Sequence, residues 1–199
     1  SFYAVRALDG EDASKHILDN LNDSNIGYKG DIFVTSRNPL NENGLTKWIS
    51  KKTWIGHSGL VYDDEGNETI EIAGTLAPKY NVVRVYSNTW SDNTPNTPQI
   101  ALLRVKDITE DQRQKAIEYA ESKMGLPYNY SFLFNRAKAF YCSDLVSRSL
   151  AHAGINVNYD YLATTGSDMI ASPNTYLVYY KEAVSDGATI IYKVYFLVE

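Results

Sequence analysis

The chain has 199 residues, 44% apolar and 22% charged, the composition of a globular protein large enough to bury a core without disulfide or metal staples. A formal charge of -5, with no Lys/Arg block, argues against nucleic acid as a partner, since phosphate binding leaves a basic patch or stripe. A count of Cys 1 and His 3 excludes an intramolecular disulfide framework and any multi-thiolate centre, and gives a His-rich metal site little support.

The length fits one domain over residues 1–199. No run approaches the ~18 apolar residues of a membrane span, so no stable membrane insertion is expected. No targeting leader is visible at Ser1. In chain order, Asp12 to Leu21 has helical spacing, and Gly30 to Val34 reads as a buried strand opened by a turn. Asn38 to Gly44 has loop chemistry, and a short helix is expected from Thr46 to Lys52. Strands follow at His57 to Tyr62 and Thr69 to Ala73, joined by a linker whose late glycine, Gly66, signals a hairpin. Asn81 to Tyr86 is a further strand, Asn88 to Pro98 a loop, and Gln99 to Val105 an apolar strand.

Thr109 to Met124 carries the strongest helix pattern, with a Thr109/Gln112 capping box and a buried stripe of Ala116, Ile117, Ala120 and Met124. Cys142 to Ala153 is the second helix, with Leu145, Val146, Ser149 and Leu150 on one face and Gly154 as its stop. Ala188 to Val198 has the content of one long strand or a strand pair. The fold class expected is α+β, with a mainly antiparallel sheet.

Cys142 stands at the start of its helix, where unpaired N–H groups and the positive dipole end favour a thiolate. The alternative is a small buried core residue, the commonest setting for a free thiol. His57, in Gly56-His57-Ser58-Gly59, has small neighbours that leave its ring open space, although a surface histidine on a strand has the same signature. His16 falls on an exposed helix face and His152 in a last helical turn, where a cation is favoured anyway.

A histidine base needs a third group to orient it, and Glu71 is a lone carboxylate in an apolar strand. If Asp64-Glu65-Gly66 is a three-residue loop, Gly59 faces Glu71, and His57 and Glu71 project from one face. A four-residue loop would turn Glu71 away and bring Glu68 or Ile70 to that side.

The turn Gly125-Leu126-Pro127-Tyr128, followed by Phe140-Tyr141-Cys142-Ser143-Asp144-Leu145-Val146, resembles the nucleophile region of NlpC/P60 cysteine peptidases. His57 precedes Cys142, the order of the circularly permuted YiiX/YebB-like branch. Gly30-Asp31-Ile32, Ile70-Glu71-Ile72 and Ser172-Pro173-Asn174 also fall in that branch's order. The resemblance implies a permuted papain-like fold, with a nucleophile-bearing helix packed on a mainly antiparallel sheet. It implies amide hydrolysis without metal or other cofactor, typically in peptidoglycan peptides of the bacterial cell envelope or periplasm, or by a secreted protein.

By that resemblance Cys142 is the nucleophile, His57 the base and Glu71 its orienting group, with the Cys142 backbone N–H holding the oxyanion. Tyr128, Tyr141 and Ser58 are the expected substrate-binding residues, although ordinary burial also accounts for Tyr128. Some related domains are antibacterial effectors, for which an inhibitory immunity protein would be a partner. Asn88 to Pro98 and the tail after Val184 have no counterpart in the resemblance. A thiol acyltransferase or lipid hydrolase on the same scaffold is one alternative function, although Tyr141-Cys142-Ser143-Asp144 lacks the Asn-Cys-Glu-His pattern of that group. A non-catalytic glycan- or peptide-binding module, drawing on a count of Tyr 16 and Trp 3, is another.

Overall fold

Ile32–Thr35 (β1) is apolar or β-branched throughout and buried at every position, which places it inside a sheet with both faces covered. The computed structural model describes residues 26–36, 54, 56–74, 81–92, 99–132, 136–159, 163–186 and 189–196. The helices expected over 12–21 and 46–52, the loop at 38–44 and His16 lie outside these residues.

β1 pairs on one side with Ser58–Val61 (β2), which continues to Glu68–Glu71 (β3) and Arg84–Ser87 (β4). On its other side come Gln99–Val105 (β5), Thr175–Asp186 (β6) and Thr189–Phe196 (β7). The sheet order is β4-β3-β2-β1-β5-β6-β7, antiparallel at each pairing.

Three helices lie between β5 and β6 in the chain: Glu110–Glu121 (α1), Cys142–His152 (α2) and Gly166–Ala171 (α3). α1 begins with both halves of the Thr109/Gln112 capping box in place, an arrangement worth about 1 kcal/mol at the cap. It ends at Ser122, earlier than the expected Met124, so Met124 leaves the stripe and is 50% exposed. Arg113 takes the fourth buried position beside Ala116, Ile117 and Ala120. α2 buries Leu145, Val146, Ser149 and Leu150 as its spacing requires.

The sheet separates two cores. Ile32, Val34, Leu60, Ile70, Ala101 and Leu103 meet the helices on one face. Phe33, Val61, Ile100, Leu102, Val178 and Tyr179 form the other, with Trp90 packed against them. Asp31 ties β1 to β5 and α1: fully buried, it accepts from Arg104 Nε at 2.9 Å and Nη2 at 2.7 Å, and Arg113 Nη1 stands 3.5 Å away. The carboxylate holds the Arg104 guanidinium charged against the burial that opposes it.

Two elements depart from the sequence reading. β6 was not expected, and the tail expected as one strand or a pair supplies β7, which pairs with it. α3 is also additional, and its Thr165/Asp168 capping box is the local signal that announces it.

Candidate active site

The β2–β3 hairpin sets the site's geometry. Leu60 pairs with Ile70 and Val61 with Thr69, and the Tyr62 N–H donates to the Glu68 carbonyl at 2.9 Å, so the loop is the three-residue one. Gly66 takes φ +70° in that turn. In this register Gly59 faces Glu71, and His57, Gly59 and Glu71 share the face away from the helices, while Glu68 is exposed.

Glu71 reaches His57, Oε1 standing 3.0 Å from Nε2. Its other oxygen, Oε2, accepts from Thr69 Oγ1 at 3.0 Å and from Trp90 Nε1 at 3.0 Å. The Trp90 ring stacks on the His57 ring at 5.3 Å with an interplanar angle of 10°, and on Phe33 at 5.0 Å. Trp90 was not singled out in the sequence, where it sits in a stretch that reads only as a loop.

Cys142 is the first residue of α2, and its N-cap Tyr141 supplies no side-chain hydrogen bond, so the first-turn N–H groups are left for a ligand. The turn at Gly125 and the bonds Tyr128 N–H to Asn81 O, Asn129 N–H to Phe140 O and Phe140 N–H to Pro127 O bring the two motif segments together. Cys142 is half-buried, its Sγ 3.9 Å from the Gly56 carbonyl and close enough to His57 and Ser58 for both to favour its thiolate. With Nε2 on Glu71, Nδ1 is the nitrogen left to His57 for the thiol.

The charges reinforce one another. Burial opposes an imidazolium, but the charge of Glu71 and the hydrogen bonds with Cys142 and Glu71 push the His57 pKa up to about 10. Burial likewise raises the Cys142 thiol, yet His57 and the Ser58 donors outweigh it and hold the thiol below its ordinary value. Glu71 is held below its usual range by His57, Trp90 and Thr69 in spite of burial. All three changes favour a thiolate–imidazolium pair backed by a carboxylate.

A cavity of about 320 Å³ opens beside the thiol. His57, Cys142, Trp54, Tyr128, Phe132, Tyr141 and Ala163 line it, together with Ser58 and Thr164–Gly166, and no Lys or Arg is among the described residues that line it. Tyr128 is 8% exposed and Tyr141 4%, and burial raises both phenols, so they stay protonated. Phe132 packs on both. Ser58 is buried under the thiol and also borders the cavity. The structure therefore gathers Cys142, His57, Glu71, Tyr128, Tyr141 and Ser58 in one place. His152 lies apart, its ring tilted against Tyr119.

A family model described as "permuted papain-like amidase enzyme, YaeF/YiiX, C92 family" matches residues 28–184. The chain belongs to this family. It is a hydrolase of the cysteine peptidase and amidase type, on a permuted papain-like α+β fold. The match runs through Trp90 and into β6, beyond the segments that carried the sequence resemblance.

The fold is also that of a crystal structure described as the metalloprotein yiiX from Escherichia coli O157:H7, at TM-score 0.55 and 17% identity. The alignment covers 76% of this chain and 96% of that one. Comparison with curated proteins gives no match. Among the described residues no group of three or more His, Cys, Asp or Glu side chains is placed to hold a metal ion, and no helix is long and apolar enough to cross a membrane.

Proposed function

We propose that this amidase cleaves peptide-type amide bonds by a Cys142–His57–Glu71 mechanism, with peptidoglycan peptides as its substrate class. The observation that carries the mechanism is the thiol at a helix N-terminus, in contact with an imidazole whose other nitrogen is 3.0 Å from a carboxylate. The Cys142 thiolate attacks the carbonyl carbon, and the helix-start N–H groups, that of Cys142 first, stabilise the oxyanion. The His57 imidazolium gives its proton to the leaving amine as the C–N bond breaks, leaving a thioester on Cys142. Neutral His57 then takes a proton from water, whose oxygen attacks the thioester and releases the carboxylate product and the thiol. Glu71 holds the ring in place through both half-reactions. Tyr128 and Tyr141 form the walls against which the acyl side of the substrate rests.

The cell-wall assignment rests on the likeness of the Gly125–Tyr128 and Phe140–Val146 segments to peptidases of that class. With it go action in the cell envelope or after secretion and, for an antibacterial effector, an immunity protein as partner. The metal named for yiiX is not carried over, because the described residues offer no set of ligands for one. A second reading, a lipid hydrolase or thiol acyltransferase, is favoured by the aromatic lining of the cavity.

The test is to incubate the full chain and Cys142→Ala with muropeptides and with fatty-acyl amides. Release of new amines from muropeptides by the wild type alone is expected. Turnover of only the acyl amides would transfer the assignment to the second reading, and no turnover of either would overturn the mechanism.

A further inference from the structure

The residues that follow β4 form a strap across the sheet face that bears His57 and Glu71. At its start Asn88 donates through Nδ2 to the carbonyls of Ile26 at 3.0 Å and Gly66 at 2.8 Å, and its own N–H reaches the Asn67 carbonyl at 2.7 Å. Trp90 follows, lying over His57 and Phe33 and donating to Glu71. At the far end the chain meets Lys181, which projects from β6 opposite Ile100 and so on the same face. The Lys181 ammonium donates to the Ser91 carbonyl and, at 2.8 Å, to the Asp92 carbonyl.

A lysine that is 3% exposed has lost most of its hydration, and burial lowers its pKa. The strap carbonyls return part of that loss only while the turn stays where it is. Asn88 and Lys181 thus fix the two ends of a segment whose middle is the indole on the catalytic pair.

We propose that Lys181 is a positioning residue for the amidase: by anchoring the Ser91–Asp92 carbonyls it holds Trp90 over the His57–Glu71 pair and keeps water from it. The proposal rests on the Cys142–His57–Glu71 reading. Water admitted to the pair weakens the attraction between Glu71 and the imidazolium, and the thiolate loses its counter-charge in turn. The other titratable groups facing the pair are Cys142 from α2 and, from β4, Tyr86, whose phenol is raised by burial and also by the charge of Glu71, and Arg84, across from Glu71 in the register. Lys181 itself is lowered by burial and faces the charge of Asp92, which acts in the opposite sense.

The experiment is alkylation of Cys142 by iodoacetamide in the full chain, read on the acid limb of the wild-type rate profile, which needs no knowledge of the substrate. There Lys181→Met should label about tenfold more slowly than the wild type, the factor that a pKa change of about one unit gives below the pKa. Lys181→Arg, which can still donate to both carbonyls, should restore the rate to within about threefold, a residue of less than half a pKa unit. In a Trp90→Ala background the Lys181→Met substitution should have no further effect, since the lysine acts through the indole.

A folded Lys181→Met protein that labels at the wild-type rate would overturn the proposal, as would additive effects of the two substitutions. If Lys181→Met does not fold, Lys181→Gln, which keeps a donor, takes its place with a smaller expected slowing. Loss of fold in both would make Lys181 structural and equally overturn it. A wild-type rate no faster than that of a free thiol would instead count against the catalytic reading itself.

Discussion

Gly59 stands opposite Glu71 in the β2–β3 register, and the absence of a side chain there lets the carboxylate lie across the strand towards His57. A Cβ at this position would come within 2.7 Å of Glu71 Oε2 and 3.2 Å of Glu71 Cβ. Gly59→Ala should therefore push the carboxylate off the imidazole while costing little stability, because Glu71 can swing its end away. The expected outcome is amide turnover lowered by about 10²-fold, the low end of what general acid–base catalysis contributes, with an unfolding temperature close to the wild type. Turnover assays beside thermal denaturation check this, and unchanged turnover would remove Glu71 from the orienting role. Much of this residue-scale picture is legible in the sequence: the three-residue loop, once chosen, determines that Gly59 faces Glu71. The choice between loops was not, because both lengths offer Gly66 near the turn and differ only in which face the next strand presents. Trp90 was illegible for another reason. Its partners His57, Glu71 and Phe33 are remote in sequence, and neither periodicity nor turn chemistry records such contacts.

At the scale of elements, the wall of the cavity depends on where α3 begins. Trp54 has φ 52°, a conformation bulky residues rarely adopt, and the start of α3 is seated against its carbonyl. A Cβ on Gly166 would lie 2.2 Å from the Trp54 oxygen and 2.4 Å from Val34 Cγ1, neither of which can give way easily. Gly166→Ala should accordingly shift α3 and the Thr164–Gly166 wall, raising KM several-fold and destabilising the chain by about 1–3 kcal/mol as an overpacked site does. Denaturant unfolding and steady-state kinetics measure the two effects, and a fully stable variant with unaltered KM would show that the contact is not tight. The capping box that starts α3 is plain in the sequence at Thr165 and Asp168, but six residues are too few for helical periodicity to show. β6 escaped notice because Tyr176 to Tyr180 is apolar without alternation, as suits a strand between β5 and β7 with packing on both faces. The long helices were legible from the different composition of their two faces, and the strands from β1 to β5 from short apolar or alternating runs bounded by turn residues.

For the molecule as a whole, the sheet brings together one contribution from each of several distant stretches. The β2–β3 hairpin carries the imidazole and carboxylate, α2 the thiol, the strap after β4 the indole, and Thr164–Gly166 the cavity wall. The buried Asp31–Arg104 pair and the two packed faces hold these parts at fixed separations, which is what a thiolate–imidazolium pair needs in order to exist near neutral pH. The Cys142 thiol is held below its ordinary value and the His57 imidazolium is pushed up to about 10. Both changes favour the ion pair, which disappears on the acid side as the thiolate is protonated. The rate of Cys142 alkylation by iodoacetamide in the intact chain, followed from pH 4 to pH 9, tests this most directly. An acid limb well below the free thiol pKa of about 8.5 is expected, followed by a plateau through neutral pH, and in His57→Ala a single rise near or above about 8.5 in its place. A wild-type profile that rises only near that value and does not change in His57→Ala would contradict it.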